Sequence, residues 1–157
     1  ADGPWYYQQI ELGFNYRMTE LQAALGCSQM QRLDQFVAKR HNIAKRYDTL
    51  LSELPVVTPY QSSEGYSGLH LYVIKLDHSI TQTHLAVFNT LRGLGVGVNI
   101  HYIPVHTQPY YQKMGFKKGD FPEAEAYYQR AISLPMHPNL TEQQQDEVVA
   151  AVKQAIS

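Results

Sequence analysis

Apolar side chains recur every three or four positions from Leu21 to Leu51, which is the longest periodic stretch of the chain. This spacing places them on one face of an α-helix and predicts helical structure over residues 19–54. Pro55 ends the pattern, because the residue before a proline is pushed out of helical geometry. A helix of about 35 residues is long for a globular protein, so a break or kink is expected between residues 26 and 35.

Three predicted helix starts, including that of the long helix, are marked by a hydroxyl residue followed three positions later by a glutamine. In such a capping box the hydroxyl accepts a helix N–H, and the glutamine side chain returns to the backbone of the cap residue. The pairs are Thr19 and Gln22, Ser79 and Gln82, and Thr141 and Gln144. A further helix start lies between Asp120 and Glu123.

Three segments have the character of strands. Residues 69–77 are apolar on both alternating faces, which predicts a strand covered on both sides. Residues 96–103 predict a second, shorter strand, and residues 132–134 predict a short edge strand ended by Pro135. The fold class expected from this order is α/β (α+β), a small mixed sheet with flanking helices.

Composition narrows the classes of protein. A chain of 157 residues with 44% hydrophobic residues can bury one ordinary core. The net charge of −1 and the scattered lysines and arginines offer no basic face to nucleic acid or to a membrane surface. No apolar run is long enough to span a membrane, no secretory signal is visible, and the single Cys27 cannot form an internal disulfide, so a cytoplasmic location is predicted.

The first twelve residues contain Trp5, Tyr6 and Tyr7 but no clear period, and they predict an extended arm. Two interpretations of these aromatic residues remain open. They cover a partner surface, or they fold back on the core of this chain.

The loop that leads into the helix at Thr19 carries Asn15 and Arg17. An amide and a guanidinium beside the free N–H groups of a helix start are suited to holding an anion. Simple capping without a ligand is the alternative. Cys27, without a histidine or a positive cluster near it in sequence, is expected to be a small buried residue and not a nucleophile.

The richest chemistry lies in residues 99–111, where a predicted strand runs into a loop punctuated by prolines. His101, Tyr102 and His106 are the candidate ligand-binding residues, since sites in α/β layers usually lie at strand ends. A hydrogen-bonded histidine of the core is the alternative for His101. Two imidazoles without a third ligand nearby predict no metal site.

The same residues carry a resemblance. Residues 13–26 read Gly-Phe-Asn-Tyr-Arg-Met-Thr-Glu-Leu-Gln-Ala-Ala-Leu-Gly. This stretch resembles the G-x-N-x-R-M-x-x-x-x-A-A-x-G signature of the DegT/DnrJ/EryC1/StrS family of sugar aminotransferases. Residues 101–111 are similar to a second signature of those enzymes, and residues 133–138, Ser-Leu-Pro-Met-His-Pro, to a third. The three motifs occur in the family's order and cover nearly the whole chain.

The resemblance implies the C-terminal domain of a fold-type I enzyme that depends on pyridoxal 5′-phosphate. Residues 1–18 would be an arm and loop from the large domain, and residues 19–157 the small domain. The lysine that binds the cofactor covalently would lie in the large domain, which implies no catalytic residue here and an inactive isolated chain. By position, Asn15 matches the asparagine that reaches the cofactor phosphate of the neighbouring subunit, and Arg17 supports that loop or meets the substrate diphosphate.

The loop with His101, Tyr102 and His106 matches the substrate side of the pocket in that family. The resemblance further implies a homodimer that transfers an amino group from glutamate to a nucleotide-linked 4-keto-6-deoxy sugar. Enzymes that act on UDP-linked hexosamines in pseudaminic acid biosynthesis are closest in character. A non-catalytic nucleotide-sugar-binding or partner module is the alternative function.

Overall fold

A computed structural model describes residues 13–14 and 16–157 of the chain. The arm predicted over residues 1–12 and the side chain of Asn15 lie outside the described residues. The chain divides into two compact units, Ala1–Asp34 and Gln35–Ser157. The domain boundary expected between residues 18 and 19 stays a prediction.

The first unit contains helix α1, Glu20–Met30, which begins with the predicted capping box. The Thr19 hydroxyl accepts the Gln22 N–H at 3.3 Å, and Gln22 Oε1 accepts the Thr19 N–H at 2.9 Å. None of its residues is buried, and Cys27 is exposed, so the expectation of a buried thiol is wrong for this chain. Capping and backbone hydrogen bonds hold α1.

Helix α2, Leu33–Leu50, begins after a two-residue turn, so the expected break in the long helical stretch is confirmed at residues 31–32. From its middle onward α2 turns Ile43, Ala44 and Tyr47 into the core of the second unit. The apolar period read from the sequence therefore becomes a buried face only in this later part.

A small sheet forms the centre of the second unit, with strands β1 (Val56–Val57), β2 (Tyr72–Leu76) and β3 (Ala131–Leu134) in the order β1-β2-β3. The described strand pairs are antiparallel, with Val56 opposite Leu76 and Tyr72 opposite Leu134. Residues of β2 alternate between buried and half-buried, so one face of the strand is fully covered and the other only partly. The sequence predicted full cover on both faces. The predicted fold class, α/β (α+β) with a small sheet and flanking helices, is confirmed, although the described strand pairs are antiparallel and do not form the mixed sheet expected.

The remaining helices surround this sheet. They are α3 (His84–Gly93), α4 (Pro109–Gln112), α5 (Pro122–Tyr128) and α6 (Glu142–Ile156), with a 3₁₀ turn at Val105–Thr107. Helix α6 starts with the predicted Thr141 and Gln144 capping box and packs against α3. Buried Gln145 of α6 donates from Nε2 to the Ile43 carbonyl at 3.0 Å, which ties α6 to α2.

The core lies between the sheet, α2, α3 and α6. Its most deeply buried apolar side chains are Tyr47, Leu51, Tyr72, Ile74, Leu91, Ile132 and Val152. No helix among the described residues has both the length and the apolar character needed to cross a bilayer.

The predicted strand over residues 96–103 is wrong, because only Asn99 pairs there, as an isolated bridge to Ser133. The Val98 N–H bonds to the Val96 carbonyl and the Ile100 N–H to Asn99 Oδ1. These local hydrogen bonds replace the ladder that a strand would need.

The expected cap at Ser79 is also wrong, since Thr83 caps α3 and accepts the Ala86 N–H at 3.2 Å. The Ser79 N–H instead bonds to Asp77 Oδ1 at 2.9 Å, which makes this segment a turn. The Gln82 side chain reaches the Ser157 carbonyl and does not close a capping box.

Candidate functional site

The loop that carries His101, Tyr102 and His106 is attached to the free side of β3. Asn99 and Ser133 exchange two backbone hydrogen bonds, at 2.8 and 3.3 Å, on the side of β3 away from β2. The chain then leaves the sheet, and the buried Pro104 leads into the 3₁₀ turn. The loop thus starts from a fixed point of the core, as a binding loop on a rigid scaffold should.

His101 is half-buried and is held from the sheet. Its Nδ1 lies 2.7 Å from the hydroxyl of Ser133, a residue that is only 4% exposed. The Tyr102 ring meets the imidazole edge to face, with ring centroids 4.5 Å apart, and Tyr102 is 68% exposed. The loop therefore presents a phenol to solvent beside an anchored imidazole.

His106 is buried, and one of its nitrogens is already engaged. Its Nε2 lies 2.8 Å from Glu125 Oε1, and the same oxygen accepts the Gly119 N–H at 2.6 Å. The hydrogen bonds from the Gly119 amide and from His106 hold the pKa of the Glu125 carboxyl below its usual range. This carboxylate joins the loop, the turn at Gly119 and helix α5.

The lowered pKa of Glu125 makes the stability of the second unit sensitive to acid. The folded chain holds the charged carboxylate more favourably than the unfolded chain does, so this contribution is complete above the ordinary pKa of 4.5. It is lost as the pH falls through the lower pKa of the folded state. In Glu125→Gln we expect a smaller free energy of unfolding at neutral pH and a shallower loss in acid, measured by urea unfolding across pH. The matched control is Glu123→Gln, since Glu123 is an exposed residue of the same helix. Equal acid sensitivity in Glu125→Gln and the original chain would contradict the stabilising role of the Glu125 carboxylate.

The second ring nitrogens of the two histidines remain accessible. Neither His101 Nε2 nor His106 Nδ1 has a hydrogen-bond partner among the described residues. Among the described residues, Arg46 Nη1 is the one fully buried side-chain nitrogen or oxygen without a hydrogen-bond partner. Neither imidazole nitrogen is completely enclosed, so each histidine retains one ring nitrogen without a hydrogen-bond partner in the described part of the chain.

A cavity of about 390 Å³ lies beside His106 and is lined almost entirely by apolar atoms. Its lining residues are Val105, His106, Tyr111, Phe116, Phe121 and Ala124. Such walls offer no set of donors for a phosphate group. Pyridoxal phosphate therefore does not fit this cavity, although an aromatic or sugar face could lie against it.

The predicted anion-binding residues belong to the first unit. Arg17 is exposed in the segment just before α1, and Asn15 lies outside the described residues. A guanidinium next to a helix start suits a phosphate, so the chemistry of Arg17 is compatible with a phosphate ligand. Arg17 lies in the first unit, and the three loop residues lie in the second.

Two residues of the loop's support, Ser133 and Glu125, were missed as site candidates from the sequence. Ser133 stands in the third motif, which was a usable signal. Nothing local marked Glu125, because an acidic residue in a short helix usually faces solvent. Among the described residues, no group of three histidine, cysteine or acidic side chains is arranged to hold a metal.

The chain is similar to curated and structurally solved sugar-biosynthesis proteins. It is 38% identical to the spore coat polysaccharide biosynthesis protein SpsC of Bacillus subtilis, over 99% of this chain and 41% of SpsC. The chain thus spans about two fifths of the length of that relative.

Two solved structures have the same fold. One is Helicobacter pylori PseC, an aminotransferase involved in pseudoaminic acid biosynthesis, with a TM-score of 0.88, 25% identity, and coverage of 99% of this chain and 42% of PseC. The other is the apo form of the putative sugar aminotransferase Spr1654 of Streptococcus pneumoniae, with a TM-score of 0.89, 26% identity, and coverage of 98% and 39%. Spr1654 has also been solved in a PMP form and a PLP form.

The family model of the DegT/DnrJ/EryC1/StrS aminotransferases matches residues 2–153. This match covers all three signature segments and the described secondary structure up to the last turn of α6. The chain therefore belongs to the DegT/DnrJ/EryC1/StrS aminotransferase family.

Proposed function

We propose that this chain is the C-terminal small-domain part of an aminotransferase that acts on a nucleotide-linked 4-keto-6-deoxy sugar. Glutamate gives up its amino group and becomes 2-oxoglutarate, and the sugar C=O becomes CH–NH₂. The observation that carries the proposal is the loop of residues 101–106. It has the family motif, and both of its histidines are anchored, His101 by Ser133 of β3 and His106 by Glu125 of α5, while each keeps one ring nitrogen without a described partner.

Asn15 and Arg17 would hold the phosphate of the cofactor, with Asn15 reaching across to a neighbouring subunit of a homodimer. An amide and a guanidinium donate the charge-assisted hydrogen bonds that a phosphate accepts best. When bound, pyridoxal phosphate supplies the electron sink for the exchange of the amino group. This chain contributes orientation and charge at the rim of the site.

The loop would bind the sugar. Tyr102 projects an exposed hydroxyl, and the free Nε2 of His101 lies on the adjacent residue. His106 keeps Nδ1 for a ligand while its Nε2 is held by Glu125, so it combines a structural link with one remaining contact. Three such groups suit a sugar rich in hydroxyl and carbonyl oxygens.

The substrate we propose is a UDP-linked 4-keto-6-deoxy-N-acetylhexosamine, as in pseudaminic acid biosynthesis. The similarity to PseC supports this choice. The proposed enzyme is cytoplasmic and has neither nucleic acid nor membrane as a partner. The isolated chain is proposed to be inactive, because its seven lysines all lie outside the family motif of the cofactor lysine. They are Lys39, Lys45, Lys75, Lys113, Lys117, Lys118 and Lys153.

The test is an amination assay on this chain and on the full-length product of its gene. With pyridoxal phosphate, glutamate and the UDP-linked keto sugar, the full-length product is expected to form amino sugar and 2-oxoglutarate in equal amounts. The chain alone is expected to form neither. Amino sugar formation by the chain alone would contradict the proposed absence of the catalytic lysine.

A further inference from the structure

We propose that Ser133 is a positioning residue that holds the His101 imidazole through Nδ1, so that Nε2 carries the hydrogen and donates to the sugar. The direction of that donation rests on the proposed function, whereas the state of the ring can be measured without any ligand. Ser133 itself touches no substrate in this arrangement.

The backbone fixes Ser133 from both sides. It lies opposite Val73 of β2 in the antiparallel register and bridges to Asn99 on its other side. All four residues of β3 are buried. Pairing on both sides fixes the backbone of Ser133, and close packing around its buried side chain limits the positions of the hydroxyl beside the start of the loop.

The geometry also determines which group donates the hydrogen bond. Ser133 is 4% exposed, and its Oγ has no described partner other than His101 Nδ1, 2.7 Å away. If Nδ1 donated, the serine hydrogen would be left buried without an acceptor, at a cost in free energy. The hydroxyl therefore donates to Nδ1, and the neutral imidazole carries its hydrogen on Nε2.

His101 Nε2 is left open by the same arrangement. It has no hydrogen-bond partner among the described residues. It is also not fully buried, because the one fully buried side-chain nitrogen or oxygen without a partner in the described part of the chain is Arg46 Nη1. The Tyr102 ring contacts the imidazole in a T-shaped arrangement, with ring centroids 4.5 Å apart. Nε2–H is thus a donor without a partner in the described part of the chain, and it suits the carbonyl or hydroxyl oxygen of a sugar.

The two histidines of the loop are consequently not equivalent. His106 uses Nε2 for Glu125 and leaves Nδ1 open, whereas His101 uses Nδ1 for Ser133 and leaves Nε2 open. His106 therefore serves as an internal reference, because a change at Ser133 removes no contact of His106.

The test is nitrogen NMR of the histidine rings in the whole chain, at a pH at which the imidazoles are neutral. The expected result is an Nε2–H tautomer for His101 with a fixed set of contacts to Ser133 and Tyr102. Ser133→Ala is expected to lose these fixed contacts and shift the His101 ring signals while the His106 signals stay in place. Ser133→Thr, which keeps the hydroxyl, should restore them.

An Nδ1–H tautomer in the original chain would overturn the proposal, as would unchanged His101 signals in Ser133→Ala. A second readout uses the full-length product, in which Ser133→Ala should raise the KM for the keto sugar and leave the glutamate half-reaction unchanged. Equal losses in both half-reactions would contradict the role of Ser133 in directing His101 toward the sugar. If the ring signals behave as expected but no keto sugar is aminated by the original full-length product, the proposed function fails and the positioning of His101 stands.

Discussion

Replacing Tyr72 by alanine lowers the free energy of unfolding by about 3–5 kcal/mol, the usual cost of removing a buried aromatic side chain. Tyr72 is fully buried in the central strand β2, and its ring lies against that of Tyr47, with centroids 5.0 Å apart. Its hydroxyl donates to Asp48 Oδ1 of α2. The substitution therefore opens a cavity between the sheet and α2 and also removes a link between them. Urea unfolding followed by circular dichroism measures the loss.

Tyr72→Phe separates these two contributions, because it keeps the ring and removes only the hydroxyl. It should cost about 1.5–3 kcal/mol, the range for a hydrogen bond to a charged acceptor. Burial and the neighbouring Asp48 carboxylate both raise the pKa of Tyr72, so its hydroxyl stays a donor throughout the working range of pH. Equal losses of unfolding free energy in Tyr72→Ala and Tyr72→Phe would show that packing of the Tyr72 ring contributes little, which would contradict its place in the core.

In the proposed full-length aminotransferase, we expect replacement of Tyr102 by phenylalanine to lower kcat/KM for the keto sugar by about 5- to 30-fold, equivalent to the loss of about 1–2 kcal/mol of transition-state binding. The Tyr102 hydroxyl has no hydrogen-bond partner among the described residues, and the side chain is 68% exposed. Its removal therefore leaves the folded chain almost unchanged in stability. The effect on the reaction reports the contact with substrate alone.

Tyr60→Phe is the matched control for that substitution. Tyr60 is 87% exposed, also lacks a described hydrogen bond, and lies in the connector after β1, outside the proposed site. The steady-state kinetics and melting temperature of Tyr60→Phe should match those of the unsubstituted enzyme. If Tyr102→Phe behaves in the same way, Tyr102 does not contact the sugar.

The helices were predictable because their signals are local. Apolar periodicity and the hydroxyl-to-glutamine spacing placed α1, α2 and α6, and the capping hydrogen bonds of Thr19 and Thr141 are those expected. The same spacing failed at Ser79, since Asp77 offers a competing acceptor that turns the backbone. A capping pattern therefore predicts a helix start only where no nearby side chain satisfies the same N–H.

The sheet was less predictable, because pairing depends on residues far apart in sequence. The residues of β2 and β3 were recognised as strands, but the pairing of Tyr72 with Leu134 and the single bridge at Asn99 are long-range events. Local hydrogen bonds around Val96 and Ile100 prevented the strand that their apolar character predicted. Pattern alone does not contain this competition.

The candidate site divides in the same way. His101, Tyr102 and His106 could be proposed from composition and motif, since polar and aromatic residues rarely cluster by chance at the end of a buried segment. Which ring nitrogens remain free could not be proposed, because it depends on Ser133 and Glu125, 32 and 19 positions away along the chain. The accessible chemistry of the loop therefore follows from tertiary structure.

We propose that this chain completes a sugar aminotransferase whose reactive lysine lies in another part of the same gene product. The most direct test of this proposal supplies ¹⁵N-labelled glutamate and the UDP-linked keto sugar to the full-length product with pyridoxal phosphate, and measures the label by mass spectrometry. The predicted result is ¹⁵N in the amino sugar, with none transferred by the isolated chain. A full-length product that binds the nucleotide sugar but transfers no ¹⁵N would contradict the proposed aminotransferase activity and indicate a non-catalytic binding module.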